Sequence, residues 1–216
     1  MPTDFECLDR WRAGDRAAGN ELLRRHFDSL YRFFSNKVDQ GVDDLIQRTF
    51  LACIESKDRF RKQASFRTYL FTVARHELYR HFRKGKRFAE SVDVGEMSVM
   101  DLGTSPSRVA AQRQEHKLLL RALRRIPLDL QLAVELFYWE GMTTAELAEV
   151  LEVPQGTAKS RLRRAREALE LHMRQLAESP SVAESTLAHF DAWAAGVRAE
   201  VGPQDAGPGP TPEPED

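Results

Sequence analysis

Cysteine is almost absent from this chain. Cys7 and Cys53 are the only two thiols in 216 residues, too few for a disulfide framework and far from any CxxC spacing. Two reduced, mostly buried thiols are expected. Long apolar runs are missing too. No stretch approaches the roughly 18 apolar residues of a membrane span, and Met1-Pro-Thr-Asp-Phe-Glu-Cys lacks the basic end and apolar segment of a secretory leader. These absences point to a cytoplasmic protein without membrane insertion. Two-residue alternation is nowhere convincing, so sheet is not expected. A net charge is also lacking: 32 Lys plus Arg stand against 33 Asp plus Glu, giving −1.

What is present is a segregation of charge. Lys57 to Arg87 holds eleven cations against Asp58 and Glu77, a block of +9. Gln155 to Arg174 carries +4, and the last forty residues carry −7 with Arg198 as their one cation. Two separate basic blocks on a balanced chain suggest a polyanionic partner touched at two places.

The apolar pattern is helical. Leu22, Leu23, His26/Phe27, Leu30, Phe33/Phe34 and Val38 recur at three- and four-residue spacing up to Gly41, which closes that helix. Asp43 or Asp44 is expected to cap a second helix with Leu45, Ile46, Thr49, Phe50, Cys53 and Ile54 inside. Ser65 can cap a third, burying Phe66, Tyr69/Leu70, Val73/Ala74, Leu78 and Phe82. From Phe88 to Arg108 the period breaks into an acidic Gly/Ser/Pro stretch, read as a linker. Helical pattern resumes over Val109–Ile126, Leu128–Tyr138, Thr144–Leu151 and Gly156–Leu176. After Pro180, Ser181-Val-Ala-Glu184 fits a capping box. Leu187, Phe190, Trp193, Val197 and Val201 then mark one more helix before a Pro/Gly-rich acidic end expected to be disordered.

The sharpest motif is Met142-Thr-Thr-Ala-Glu-Leu-Ala-Glu-Val-Leu-Glu-Val-Pro-Gln-Gly-Thr-Ala-Lys-Ser-Arg-Leu-Arg-Arg-Ala-Arg. Thr143 or Thr144 caps a short helix, Glu152-Val153-Pro154 turns the chain, and a second helix buries Ala158, Leu162, Ala165 and Leu169. That is helix-turn-helix geometry. Lys159, Ser160, Arg163 and Arg164 project from the second helix with Arg161 and Arg166 flanking them, the donor types that reach guanine edges and phosphates in a major groove. In the first half, Arg59-Phe-Arg-Lys-Gln-Ala-Ser-Phe-Arg joins cations to aromatics beside a helix carrying Arg75, His76, Tyr79, Arg80 and Arg83, as capture of unstacked bases requires. Phe60 is open to either core packing or base contact, whereas Phe66 reads as core.

Asp43-Asp-Leu-Ile-Gln-Arg-Thr-Phe, Phe66-Arg-Thr-Tyr-Leu-Phe-Thr-Val-Ala-Arg-His and Arg80-His-Phe-Arg-Lys together resemble region 2 of sigma factors. Leu123-Arg-Arg-Ile-Pro and Gly156-Thr-Ala-Lys-Ser-Arg-Leu-Arg-Arg-Ala-Arg resemble region 4. With only a linker between them, the order is that of the extracytoplasmic-function (ECF) group of the sigma-70 family. Tyr69 stands where that family often has Trp, His76 where Asn is usual, and Arg80 where an acid is usual. The resemblance implies an all-α protein: a region 2 bundle (1–88), a flexible acidic linker (89–108), a region 4 helix-turn-helix (109–178), and a C-terminal helix with a disordered tail (179–216). It further implies a factor that binds core RNA polymerase, through the largest-subunit clamp helices and the flap, and directs promoter recognition and melting. Thr157, Lys159, Ser160, Arg161, Arg163, Arg164 and Arg166 would meet the −35 element. Arg59, Phe60, Arg61, Lys62, Ser65, Arg75, His76, Tyr79, Arg80 and Arg83 would meet the −10 element, and Asp43, Asp44, Gln47, Arg48 and Leu51 the polymerase. An anti-sigma factor is a further partner the family allows. No catalysis, cofactor, metal or small-molecule substrate is implied.

Two enzymatic readings fail on spacing. His76 and His81 nearly spell a zincin motif, but five residues turn them about 140° apart on a helix. A DNA-cleaving tyrosine site would need convergent partners elsewhere, and none are found. A helix-turn-helix regulator that does not replace sigma is the other reading of the C-terminal motif; it calls for a ligand-binding or phosphoacceptor domain with strands in the first half.

Overall fold

The computed structural model describes residues 1–58, 60, 64–89 and 118–177. Among these the fold is all-α, without a strand. The stretch expected as linker beyond Ala89, the first part of the helix expected from Val109, and the C-terminal extension from Glu178 onward lie outside the described residues. The chain separates into two compact units, one built on the N-terminal helices and the other carried by most of residues 118–177.

The first unit opens with a helix the apolar period does not announce, α1 (Asp4–Arg12). A Thr3/Glu6 capping box starts it. The Thr3 amide donates to Glu6 Oε2 at 2.6 Å, and the Glu6 amide donates to Thr3 Oγ1 at 3.3 Å. Asp15 then caps α2 (Arg16–Ser35) by accepting the Ala18 amide at 3.1 Å. The next helix, α3 (Val42–Ser56), corrects two expectations. Gly41 does not close α2, which ends at Ser35; it precedes α3 in the left-handed region at φ 79°. No carboxylate caps α3, because Gly41 takes that place. Asp43 and Asp44 sit instead in the first turn, where negative charge offsets the partial positive charge of the helix N-terminus. Ser65 does cap α4 (Phe66–Ala89), accepting the Thr68 amide at 3.0 Å.

These helices bury Leu8, Leu22, Leu30, Phe34, Leu45, Ile46, Phe66, Leu70, Phe71 and Leu78 almost completely. Phe33 joins the aromatic centre edge-on to Phe34 and Phe71, at 5.2 and 5.4 Å. Phe71 belongs to this core although the period did not select it. Ile54 and Phe82, expected inside, are at the surface. Cys7 and Cys53 are free and buried; burial pushes the Cys53 thiol up to about 12, which leaves it inert at neutral pH. Helix α1 lies close against α2: a Cβ added at Gly19 would meet Trp11 Nε1 at 2.5 Å. At the start of α1, Asp4 Oδ2 is 2.7 Å from His26 Nε2, and Oδ1 accepts from Arg25 at 3.3 Å. Burial alone would raise the Asp4 pKa. The His26 and Arg25 interactions overcome it and hold the carboxyl below its ordinary value.

In the second unit, helical residues 118–123 lead to α5 (Leu128–Val134), with Pro127 at its N-cap. The expected helix to Tyr138 changes character at Glu135, where a π-helical turn runs to Trp139 and the Glu140 amide bonds back to the Glu135 carbonyl at 3.0 Å. The added residue in that turn re-aims the following side chains, and Trp139 is buried in one cluster with Leu118, Leu119, Leu123, Ile126, Val134, Ala165, Leu169 and Met173. Two further helices follow, α6 (Thr144–Leu151) and α7 (Gln155–Leu176).

Two outcomes follow for the first unit. Gly19→Ala should lower stability by on the order of 1 kcal/mol in denaturant unfolding, because overpacking against Trp11 outweighs alanine's better helix propensity. Asp4→Asn should cost about 1 kcal/mol at neutral pH for a half-exposed, charge-assisted contact. Since the folded pKa of Asp4 is depressed, its contribution is present above about pH 4 and is lost as pH falls through the folded value. Wild type and variant should therefore converge in acid.

Candidate nucleic-acid interface

Helix α7 is sorted by burial. Ala158, Leu162, Ala165, Leu169 and Met173 are buried along one side. At about 100° per residue, the opposite side presents Ser160, Arg163 and Arg164, with Lys159 next to them. Lys159, Arg163 and Arg164 are exposed, and Thr157 and Ser160 are half-buried. Ser160 donates its hydroxyl to the Thr157 carbonyl at 2.9 Å. Arg163 pairs with Glu167 one turn on, while Arg164 has no ion-pair partner among the described residues. The two flanking cations behave differently. Arg161 is turned back toward Asp129, 3.8 Å away, with only 22% of its side chain exposed. The Arg166 guanidinium lies 6.0 Å from the Tyr138 ring centroid. The face ready for an anion is thus narrower than the run of arginines implies.

The approach of α6 to α7 rests on polar contacts that the sequence motif contains. Thr143 and Glu146 form a capping box, with the Thr143 amide and hydroxyl each 2.9 Å from Glu146 Oε2 and the Glu146 amide 3.2 Å from Thr143 Oγ1. Gln155, opening α7, donates to Thr144 Oγ1 at 2.8 Å. Glu152 adopts φ 54° in the turn between them, and the Val153 amide bonds to the Ala148 carbonyl at 3.0 Å. This is the helix-turn-helix corner.

In the first unit, Arg75, His76, Tyr79, Arg80 and Arg83 fall on one side of α4, within about 140° of helix surface. His76, Arg80 and Arg83 are exposed, whereas Arg75 and Tyr79 are half-buried. The Arg75 guanidinium sits 5.8 Å from the Tyr79 ring centroid. Arg80 is paired at 2.7 Å with Glu77, an acid of the basic block whose burial the apolar period did not announce. Of the loop before α4, Arg59, Arg61 and Lys62 lie outside the described residues. Phe60 is half-buried and stacked on Tyr69 at 4.6 Å with 28° between rings, and edge-on to Phe66 at 6.5 Å. The Tyr69 hydroxyl hydrogen-bonds Ser56 Oγ, which also bonds the Ala52 carbonyl. Burial raises the Tyr69 phenol's pKa, against the Ser56 bond and the nearby Arg12 charge.

A third face lies on α3. Asp43, Asp44, Gln47 and Leu51 are exposed, and Arg48 forms a two-pronged ion pair with Asp44, at 2.6 and 3.1 Å. Leu51 and Ile54 are 55% and 41% exposed on this helix. An apolar pair among charges suits a protein partner better than DNA. No group of His, Cys, Asp and Glu among the described residues could hold a metal ion, and no described helix is long and apolar enough to cross a membrane.

Two basic helix faces on separate units, one of them in a helix-turn-helix, define a DNA-binding class, and comparison with known proteins gives it a family. Residues 22–88 match sigma-70 region 2, and residues 116–169 match sigma-70 region 4. The ECF RNA polymerase sigma-E factor of Escherichia coli strain K12 is 28% identical over 177 residues, covering 78% of this chain and 93% of the relative. That of Haemophilus influenzae is 27% identical over 179 residues, covering 78% and 94%. Among solved structures, CnrH in complex with the cytosolic domain of CnrY is 22% identical with a TM-score of 0.59, covering 79% of this chain and 97% of that one. The sigma factor RpoE in complex with the anti-sigma factor NepR, from Bartonella quintana, is also 22% identical with a TM-score of 0.56, covering 68% and 90%. This chain belongs to the sigma-70 family of transcription-initiation factors, in its ECF group.

Proposed function

We propose that the protein binds core RNA polymerase and directs promoter recognition and DNA melting, with region 2 in residues 1–88 and region 4 in residues 109–178. The observation that carries this reading is the division of labour among three exposed helix faces. Those on α4 and α7 are dominated by cations, whereas that on α3 mixes Asp44, Arg48, Gln47 and Leu51. A face dominated by cations suits a phosphate backbone, and a mixed face with apolar side chains suits a protein. In this reading α7 enters the major groove of the −35 element, α4 and the Phe60–Ser65 loop hold the melted −10 strand, and α3 docks on the clamp helices of the polymerase largest subunit. Residues 89–108 link the two units within the polymerase, and the acidic extension after residue 178 has a regulatory role. The partnership of similar structures with anti-sigma proteins supports an anti-sigma factor as a further partner, and the place of action is the cytoplasm.

Reconstituted transcription tests the whole reading: core polymerase plus this chain should initiate at a specific promoter without any other sigma factor. Failure, with duplex DNA binding intact, would favour a helix-turn-helix regulator. Within that assay, Arg164→Ala should cost about 1–3 kcal/mol of −35 binding and relax preference at one base position. Arg161→Ala should cost less, because its guanidinium already faces Asp129. Equal losses in a −35 duplex titration would contradict the sorting of α7. Asp44→Arg should weaken holoenzyme assembly on a sizing column while leaving −35 binding by the full chain unchanged; full assembly by that variant would remove α3 from the interface.

A further inference from the structure

Helix α1 precedes the residues that match the sigma-70 family, yet its last residue reaches the loop that leads into α4. Arg12, half-buried, donates from Nε to the Lys57 carbonyl at 2.9 Å, and from one terminal nitrogen to both the Lys57 and Phe60 carbonyls. Lys57 is the C-cap of α3, where carbonyls lack helical partners and the helix dipole favours a cation. One planar guanidinium therefore closes the end of α3 and pins the loop three residues later, a geometry that needs divergent donors in a rigid fork.

Phe60 is fixed from a second direction. Its ring is stacked on Tyr69 of α4, and the Tyr69 hydroxyl is tied to Ser56 of α3. The backbone of this residue is thus held by α1 and its ring by α4, with α3 bracing the ring's platform. Three helices converge on one half-exposed aromatic in a basic loop. Phe60 keeps part of its surface open while one face of its ring is stacked on Tyr69.

We propose that Arg12 is a positioning residue for promoter melting: by clamping the Lys57 and Phe60 carbonyls it sets the Phe60 platform against which one unstacked base of the −10 strand is held. Arg12 itself touches no DNA. The inference rests on the proposed −10 role of this loop, and the experiment separates the two. Full-length wild type, Arg12→Ala, Arg12→Lys and Phe60→Ala are each assembled with core polymerase. Binding of a single-stranded −10 oligonucleotide is then measured with each base in turn replaced by an abasic site. In wild type, one position should carry the largest penalty, and Phe60→Ala should flatten the profile there. Arg12→Ala should lose roughly ten-fold in affinity for the intact strand and flatten the profile at that same position, with other positions and −35 duplex binding unchanged. Arg12→Lys, which keeps the charge and stem but not the fork, should flatten it in part. The lysine variant also decides the matter if the alanine variant does not fold.

Uniform weakening at every position would reduce Arg12 to a stabiliser of the fold and overturn the proposal. So would an Arg12→Lys profile identical to wild type, or an Arg12→Ala profile left intact while Phe60→Ala flattens its own. A profile indifferent to Phe60→Ala would instead remove the loop from −10 binding, and the role of Arg12 with it.

Discussion

The buried side of α7 is the constraint on which the rest of the second unit depends. Ala158, Leu162, Ala165, Leu169 and Met173 line one side of that helix, and four of them are nearly inaccessible. Because a helix turns about 100° per residue, fixing that side fixes the azimuth of every other side chain. The small Ala158 and Ala165 let neighbouring helices come close, and Trp139 reaches the same cluster through the π-helical turn. Lys159, Arg163 and Arg164 point outward because the apolar side cannot. The same logic governs α4, where Phe66, Leu70, Phe71, Ala74 and Leu78 hold the opposite side in the core.

Charge alone does not predict which cations are available. The two basic blocks contain arginines that look equivalent along the chain. Arg80 is engaged by the buried acid Glu77, Arg161 faces Asp129 and Arg166 leans over Tyr138, while Arg12, outside both blocks, closes the end of α3. The two ion pairs among these contacts are worth little as surface salt bridges. These contacts matter here because they orient long side chains, while Arg164 is exposed without an ion-pair partner among the described residues. The arrangement separates arginines tied to neighbouring groups from arginines left exposed without changing residue type.

Much of this was legible in the residue order. Helical periods at Leu22–Phe34, Leu45–Cys53 and Phe66–Leu78, the serine cap at position 65, and the helix-turn-helix from Thr143 to Ala165 are local signals, set by propensity, capping and the 3.6-residue repeat. The Thr3/Glu6 capping box was an equally local signal, but α1 is short and carries only Cys7, Leu8 and Trp11 inward, too few for a period to stand out. Gly41 read as a helix stop when it is a helix start, because a left-handed glycine serves either end. The expected burial of Ile54 and Phe82 failed for a different reason: the width of an apolar face in the fold depends on what covers it, and neighbouring helices cover only part of α3 and α4.

By itself, the order of residues determined the fold class, the two basic blocks, the helix-turn-helix and the family, since each is written in short-range spacing and residue type. Only the tertiary structure decided that Gly19 must lack a side chain, that Phe60 stacks on Tyr69, that Arg161 is occupied, and that Arg12 reaches across 45 residues to the Lys57 carbonyl. Those facts depend on which surfaces meet. Contacts between residues distant in the chain are selected by the packing of whole helices, and no local pattern encodes the partner.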